Sequence, residues 1–306
     1  MTKTSKTILF FGNERIATGV EARVSVLQAL IDDGYQVAAV IVAQADIGPS
    51  RQPRPLEVAD IAEKHGIPLL NPGDLSAAQA ELAAFGAEAG VLVAYGQLVP
   101  QSLLDIFPTG IVNLHPSLLP LHRGPTPIES AILNGDSQTG ISLMRLGAEM
   151  DNGPVYDQAV LPLKGNETKQ ALADHLLNLG GELLIKNLPA ILDGSLQPRP
   201  QDDSKATYDK KIDKADGVLD WNKPALQLER EIRAFAGWPR SRTKLGNTDV
   251  IVTGAQVEDS RGELGKITTD KGLAIQTSDG LLVIDSLIPD GKKEMSAAAF
   301  LAGYQL

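Results

Sequence analysis

Short apolar runs alternate with helical periodicity through the first third of the chain, and that alternation restricts it to a layered α/β fold. Thr7-Ile8-Leu9-Phe10-Phe11-Gly12 reads as a buried strand, residues 20–33 as a helix stopped at Gly34, and residues 36–43 as a second strand. Residues 56–65 repeat the helical pattern up to Gly66, and a short apolar run follows at 67–70. Ser76-x-x-Gln79 is a capping-box signature for another helix, and Ala89-Gly90-Val91-Leu92-Val93-Ala94 is a further buried strand. Strands apolar on both sides predict a parallel sheet with both faces covered by helices. Such sheets bind ligands outside the carboxyl ends of their strands, so Tyr95-Gly96 and His115-Pro116 should border one crevice.

The densest cluster of polar chemistry is Asn113-Leu114-His115-Pro116-Ser117-Leu118-Leu119-Pro120, followed later by Asp151-Asn152-Gly153-Pro154. If Leu114 lies in the last turn of a strand, Asn113 and His115 project from the same face, because strand side chains alternate. An amide and an imidazole side by side, with a carboxylate in reach, suit acyl or formyl transfer: one group polarises a carbonyl and another handles a proton. On spacing alone the same residues fit a polar strand end with a solvated histidine. Thr126-Pro127-Ile128-Glu129 reads as a capped helix start, with Asn134-Gly135 as its stop. Its free N–H groups and the preceding Arg123 would face the crevice, where a glutamate tail or phosphate could be met; a purely structural cap fits equally well.

Residues 140–146 and 155–163 read as strands, the second antiparallel to its neighbour. Residues 168–192 read as a long helix interrupted at Gly180-Gly181 and Pro189, and 195–206, rich in Pro, Asp and Gln, as a linker. The expected division is therefore 1–194, linker 195–206, and 207–306. Beyond residue 207 a short helix at 225–235 is followed by runs at 242–244, 250–257, 264–268, 273–277 and 281–287, separated by turn signals. Strands of that length and spacing predict a small OB-like β-barrel.

Cysteine is absent from the 306 residues, which excludes disulfides, thiolate nucleophiles and cysteine-ligated zinc. No apolar run is long enough to span a bilayer, and the start of the chain lacks a signal-peptide core, so a cytoplasmic protein is expected. The net charge of -10 means that any contact with nucleic acid must be local. Up to residue 206 the chain has 14 basic and 23 acidic residues, net -9, and from 207 onward 14 and 15, net -1. The second part is the less repelled by a polyanion.

Together these stretches resemble the methionyl-tRNA formyltransferase family over nearly the whole chain. The likeness is carried by V-L-V-A-Y-G-Q-L-V-P from Val91, N-L-H-P-S-L-L-P-L-H-R-G-P-T-P-I from Asn113, and D-N-G from Asp151. Beyond the linker it continues in T-Y-D-K-K-I from Thr207, Asp220-Trp221, and L-E-R-E-I-R-A-F-A-G-W-P from Leu228. The resemblance implies a Rossmann-like formyltransferase domain joined to the OB-like barrel. It also implies transfer of a formyl group from 10-formyltetrahydrofolate to the amino group of initiator methionyl-tRNA, by a monomer needing no metal. Catalytic roles map onto Asn113, His115 and Asp151, and folate contacts onto Tyr95, Gly96, Ser117, Leu118, Leu119 and Pro120. Contacts with tRNA are expected from Arg51, Arg54, Lys210, Lys211, Arg240 and Arg242.

Three stretches depart from the family pattern: a longer loop at 12–20, Gly147 where an Asp is common, and a short basic loop at 46–54. His122 stands where the family commonly has an aromatic residue. Transfer to a sugar-nucleotide amine is the nearest rival, because it uses the same three polar residues.

Overall fold

The computed structural model describes residues 6–43, 56–147, 149–270 and 272–306. Its first part runs β1 (Thr7–Gly12), α1 (Val26–Asp32), β2 (Gln36–Ile41), α2 (Glu57–Lys64), β3 (Leu69–Leu70), α3 (Gln79–Ala83) and β4 (Ala89–Val93). There follow α4 (Gln101–Leu104), β5 (Ile111–His115), α5 (Pro127–Asn134), β6 (Gln138–Arg145), β7 (Val155–Pro162) and α6 (Lys169–Leu192). The second part holds α7 (Ala225–Ala234), β8 (Ser241–Leu245), β9 (Thr248–Glu258), β10 (Ile267–Thr268), β11 (Ala274–Gln276), β12 (Leu281–Pro289), β13 (Met295–Ser296) and α8 (Ala297–Gly303).

The first sheet has the order β3-β2-β1-β4-β5-β6-β7, parallel through β5 and antiparallel at β6 and β7. This is the expected mostly parallel α/β sheet. Alternation along β1 explains its two cores: Ile8 and Phe10 pack with Leu27, Leu30 and Leu176 on one face, Leu9 and Phe11 with Leu82 and Leu103 on the other. Strand order reverses direction at β1 and β4, and their tips close together. Gly12 has φ +132°, and a Cβ there would lie 1.8 Å from the Val93 carbonyl oxygen, so only glycine lets the tips meet.

Helix α1 begins six residues later than periodicity predicts. Ser25 caps it, its Oγ accepting from Gln28 N at 3.0 Å, and that capping chemistry overrides the apolar residues before it. Residues 16–20 thereby stay free to line the crevice. Ser76 is likewise no cap: Ser76 N donates to Asp74 Oδ1 at 2.8 Å, a local turn that competes with helix, and α3 starts at Gln79 without a side-chain cap. Helix α6 runs unbroken through Gly180-Gly181 and Pro189. Gly180 serves packing, since a Cβ there would come within 2.8 Å of Leu114 Cδ2.

Glu14, fully buried with φ 61°, accepts from Leu27 N through Oε1 at 2.7 Å. Burial pushes its pKa up to about 7, against the hydrogen bonds from Leu27, Ser25 and Val26. Its carboxyl occupies the start of α1, the position where other doubly wound sheets receive a phosphate.

In the second part the strands form an antiparallel sheet of order β10-β11-β12-β9-β8, with β13 on β12. Leu228 and Ile232 of α7 pack on Val250, Val252, Leu282 and Ile284. β13 and α8 were not evident from the pattern. The stretch expected to be a linker is fastened down as a strap: Arg199 and Val155 exchange both backbone hydrogen bonds at 2.8 Å, and Thr207 N donates to Pro120 O. Extended backbone beside a strand end satisfies its N–H and C=O groups in this way. Among the described residues no helix is long and apolar enough to cross a membrane.

Candidate active site

β5 ends beneath a cavity of about 540 Å³ at the switch point of the first sheet. Asn113 and His115, two residues apart on this strand, both line it and are 6% and 5% exposed. Asp151 reaches the same cavity from the turn before β7, with Oδ1 3.6 Å from His115 Nδ1. Residues 16–20 and 95–99 complete the walls, and Leu98 and Met150 stand exposed at the rim.

Each polar group is positioned from a different element. His115 Nε2 lies 2.8 Å from the His122 carbonyl oxygen, and because a carbonyl only accepts, Nε2 carries the proton. In the neutral ring Nδ1 therefore keeps its lone pair, facing Asp151. A proton arriving at Nδ1 would be received beside a carboxylate. Asp151 has φ 51°, and its Oδ2 accepts from Gly124 N at 2.9 Å. Gln201, from the strap, donates through Nε2 to the carbonyls of Asp151 and Gly153 at 2.8 and 2.7 Å. Asn152 Nδ2 donates to Glu149 Oε2 at 2.6 Å, so the turn has local support despite Gly147. Asn113 makes no side-chain hydrogen bond among the described residues, which leaves its amide available to a ligand.

Several sequence expectations change. Arg123 does not face the crevice. It is 2% exposed and donates through Nε and Nη2 to Gln201 Oε1 at 3.1 and 2.9 Å, and through Nη2 to Asp203 Oδ1 at 2.6 Å. The reason is that the strap brings a carboxylate and an amide to it. Thr126 is no side-chain cap for α5, because its Oγ1 donates to Lys210 O at 2.9 Å. Glu129, read as part of that cap, is buried and meets Lys169 Nζ at 3.5 Å, each side chain 1% exposed. Lys169 Nζ also donates to Thr18 O at 2.7 Å and Trp238 O at 3.0 Å, pinning the crevice loop to the second part of the chain. Burial pushes the Glu129 pKa up and the Lys169 pKa down, and their mutual attraction opposes both shifts.

Tyr95 and Gly96 line the cavity, with the Tyr95 ring edge-on to Phe11 and burial pushing its hydroxyl pKa up to about 12. Ser117, Leu118, Leu119 and Pro120 do not line it. Their polar groups bond within the loop and to β6 and β7: Ser117 Oγ donates to Leu121 O, Ser142 Oγ to Ser117 O, Leu119 N to Ser142 Oγ, and Gln158 Nε2 to Leu119 O. Proline and these hydrogen bonds fix the backbone of the segment. Lys210 and Lys211 line a separate cleft with Thr126, Lys223 and Arg230, and Thr126 stands between Pro125 and Pro127 of the cavity wall. Arg240 and Arg242 line a third groove with Lys244 and Lys292. Arg51 and Arg54 lie outside the described residues. The sequence marks a longer loop at 12–20 but not its place in the cavity wall, and gives no sign of the roles of Gln201 and the Glu129–Lys169 pair, whose partners are remote in the chain.

Comparison with known proteins agrees with this layout. Residues 15–188 match the formyl transferase family and 211–305 the formyl transferase C-terminal domain. The chain is 38% identical to a methionyl-tRNA formyltransferase from Roseiflexus castenholzii, over 98% of this chain and 96% of that one. A Pelobacter propionicus enzyme of the same name is 36% identical over 98% and 94%. Among solved structures, an N-formyltransferase from Helicobacter canadensis, in complex with folinic acid and dTDP-3-aminofucose, superposes with TM-score 0.67 at 17% identity, over 92% of this chain and 98% of that one. HypX from Aquifex aeolicus in complex with tetrahydrofolic acid gives 0.64 at 19%, over 97% of this chain and 47% of that one. Those two likenesses speak to the fold alone. Full-length identity to curated relatives, together with both family models, shows that the chain belongs to the methionyl-tRNA formyltransferases, a family of folate-dependent enzymes.

Proposed function

We propose that the formyl donor is 10-formyltetrahydrofolate, that the acceptor is the amino group of initiator methionyl-tRNA, and that Asn113, His115 and Asp151 perform the transfer. What carries the reading is the convergence of an amide unbonded among the described residues, an imidazole with a fixed tautomer and a carboxylate on one cavity. The cavity suits a flat ring system: Leu92, Tyr95, Val99 and Leu146 give it apolar walls, and Leu98 and Met150 an apolar rim. When bound, the donor supplies a formyl group on a nitrogen that can leave.

An amine attacking the formyl carbon drives negative charge onto the formyl oxygen. Asn113 donates a hydrogen bond to that oxygen, stabilising charge that exists only as the reaction proceeds. His115 Nδ1 takes the proton from the attacking nitrogen and returns it to the leaving nitrogen, while Asp151 holds the imidazolium between those events. Divided this way, the reaction asks one group for charge, one for proton transfer and one for orientation. Lys210 and Lys211, in the cleft beyond Thr126, receive phosphates of the acceptor stem.

Labelled formyl donor is offered with charged initiator tRNA, uncharged tRNA and an aminosugar nucleotide. Label entering only the charged tRNA supports the assignment. Label entering the aminosugar nucleotide instead overturns it.

A further inference from the structure

His122 is bonded through both ring nitrogens to carboxylates, Nε2 to Asp136 Oδ2 at 2.8 Å and Nδ1 to Asp209 Oδ1 at 3.0 Å. A neutral imidazole has only one N–H, so two such bonds require the imidazolium. Its main chain is equally committed. His122 N donates to Thr207 Oγ1 at 2.7 Å, and the carbonyl receives His115 Nε2–H at 2.8 Å. The flanking backbone pairs with the segment after the strap: Arg123 N donates to Thr207 O at 2.9 Å and Asp209 N to Arg123 O at 2.7 Å. These bonds hold His122 at φ 57°, a left-handed conformation that a side chain disfavours and that surroundings must impose. That bend aims the carbonyl at β5.

We propose that His122 is a positioning residue for formyl transfer: a charged pin, clamped by Asp136 and Asp209, whose carbonyl fixes the orientation and tautomer of His115. The inference rests on His115 being the proton carrier. The charged and titratable groups facing the pin are Asp136 from the α5–β6 turn, Asp209 after the strap, His115 on β5 across the carbonyl with Asp151 beyond it, and the adjoining Arg123, engaged by Asp203. The hydrogen bond to Asp209, against burial and with help from Asp136, holds the His122 pKa above its ordinary 6.5. The clamp is thus complete below that ordinary value and weakens as pH rises through the raised one.

The test uses the full chain and the variants Asp209→Asn, Asp209→Glu and Asp136→Asn, with His115→Asn as reference. Turnover and both KM values are measured from about pH 6 to about pH 9, alongside ring ¹⁵N NMR of the histidines. Asp209→Asn and Asp136→Asn should each lower kcat about tenfold with KM unchanged, as expected when a reacting group is misplaced. The alkaline fall in kcat should move to lower pH, and His115 should change from the Nε2–H form to a tautomer mixture. Asp209→Glu should recover most of the rate. Unaltered kcat, pH profile and His115 tautomer in the two Asn variants, even with lowered Tm, would overturn the proposal. If those variants fail to fold, titration of the unmodified protein decides: His122 deprotonation must coincide with the change in His115 tautomer, and separate titrations sink the idea. Full turnover by His115→Asn would instead strike down the catalytic assignment itself.

Discussion

His115 and His122 sit seven residues apart, and the structure treats them in opposite ways. One ring nitrogen of His115 is bonded and the other faces a carboxylate at 3.6 Å, too far for a hydrogen bond. His122 has both nitrogens saturated. The contrast extends across the site: Asn113 has no side-chain partner among the described residues, whereas Arg123 and Lys169 are buried and fully engaged. The groups assigned to the reaction keep unbonded polar atoms, whereas the His122 ring, Arg123 and Lys169 are engaged, with Asp209 and Glu129 each retaining one carboxylate oxygen unbonded among the described residues. A buried polar group without its partners is costly, so an under-bonded one at a cavity wall signals use.

The under-bonded groups should respond most strongly to substitution. Asn113→Ala, His115→Asn and Asp151→Asn should each lower kcat by about 10² to 10⁴ while Tm barely changes, measured by steady-state kinetics and calorimetry. Near-normal turnover in any of them removes that residue from the mechanism. A saturated group should behave in reverse. Lys169→Met leaves Glu129 buried and unpaired, a class of change that costs about 3–5 kcal/mol, read by chemical denaturation.

Gln201→Ala lies between the two. It frees the Asp151 turn without touching substrate, so kcat should drop about tenfold at constant KM for the donor. Glu14 is a buried carboxyl with Oε1 bonded and, among the described residues, no hydrogen-bond partner for Oε2. Its folded pKa of about 7 exceeds the ordinary 4.5, so folding favours the protonated form and stability declines as pH rises from about 4.5 through about 7. Glu14→Gln should flatten that decline in Tm measured against pH. The smallest effect belongs to exposed charges: replacing Lys210 and Lys211 with Ala should reduce the salt slope of tRNA binding by about one per lysine.

Much of the first sheet was legible because its signals are local. The continuous apolar runs of β1 and β4, and the strand position of Asn113 and His115, need no knowledge of distant residues. Helix starts were less legible: Ser25 outcompeted an apolar run, and Asp74 captured Ser76. What sequence could not disclose was the behaviour of Arg123, Gln201 and Glu129. Each looks like an ordinary surface or cap residue until a segment 40 to 111 residues away arrives to bury or bind it. Such pairings are set by topology, which no window of sequence contains.

The strap ties these observations to the architecture of the whole chain. Gln201 and Asp209 lie past the end of the formyl transferase match at residue 188, yet one steadies Asp151 and the other clamps the histidine behind His115. A graft that joined this catalytic half to another relative's tail would inherit a foreign hinge and lose both holds. Exchanging tails within this family therefore means carrying residues 199–209 across with their own catalytic half.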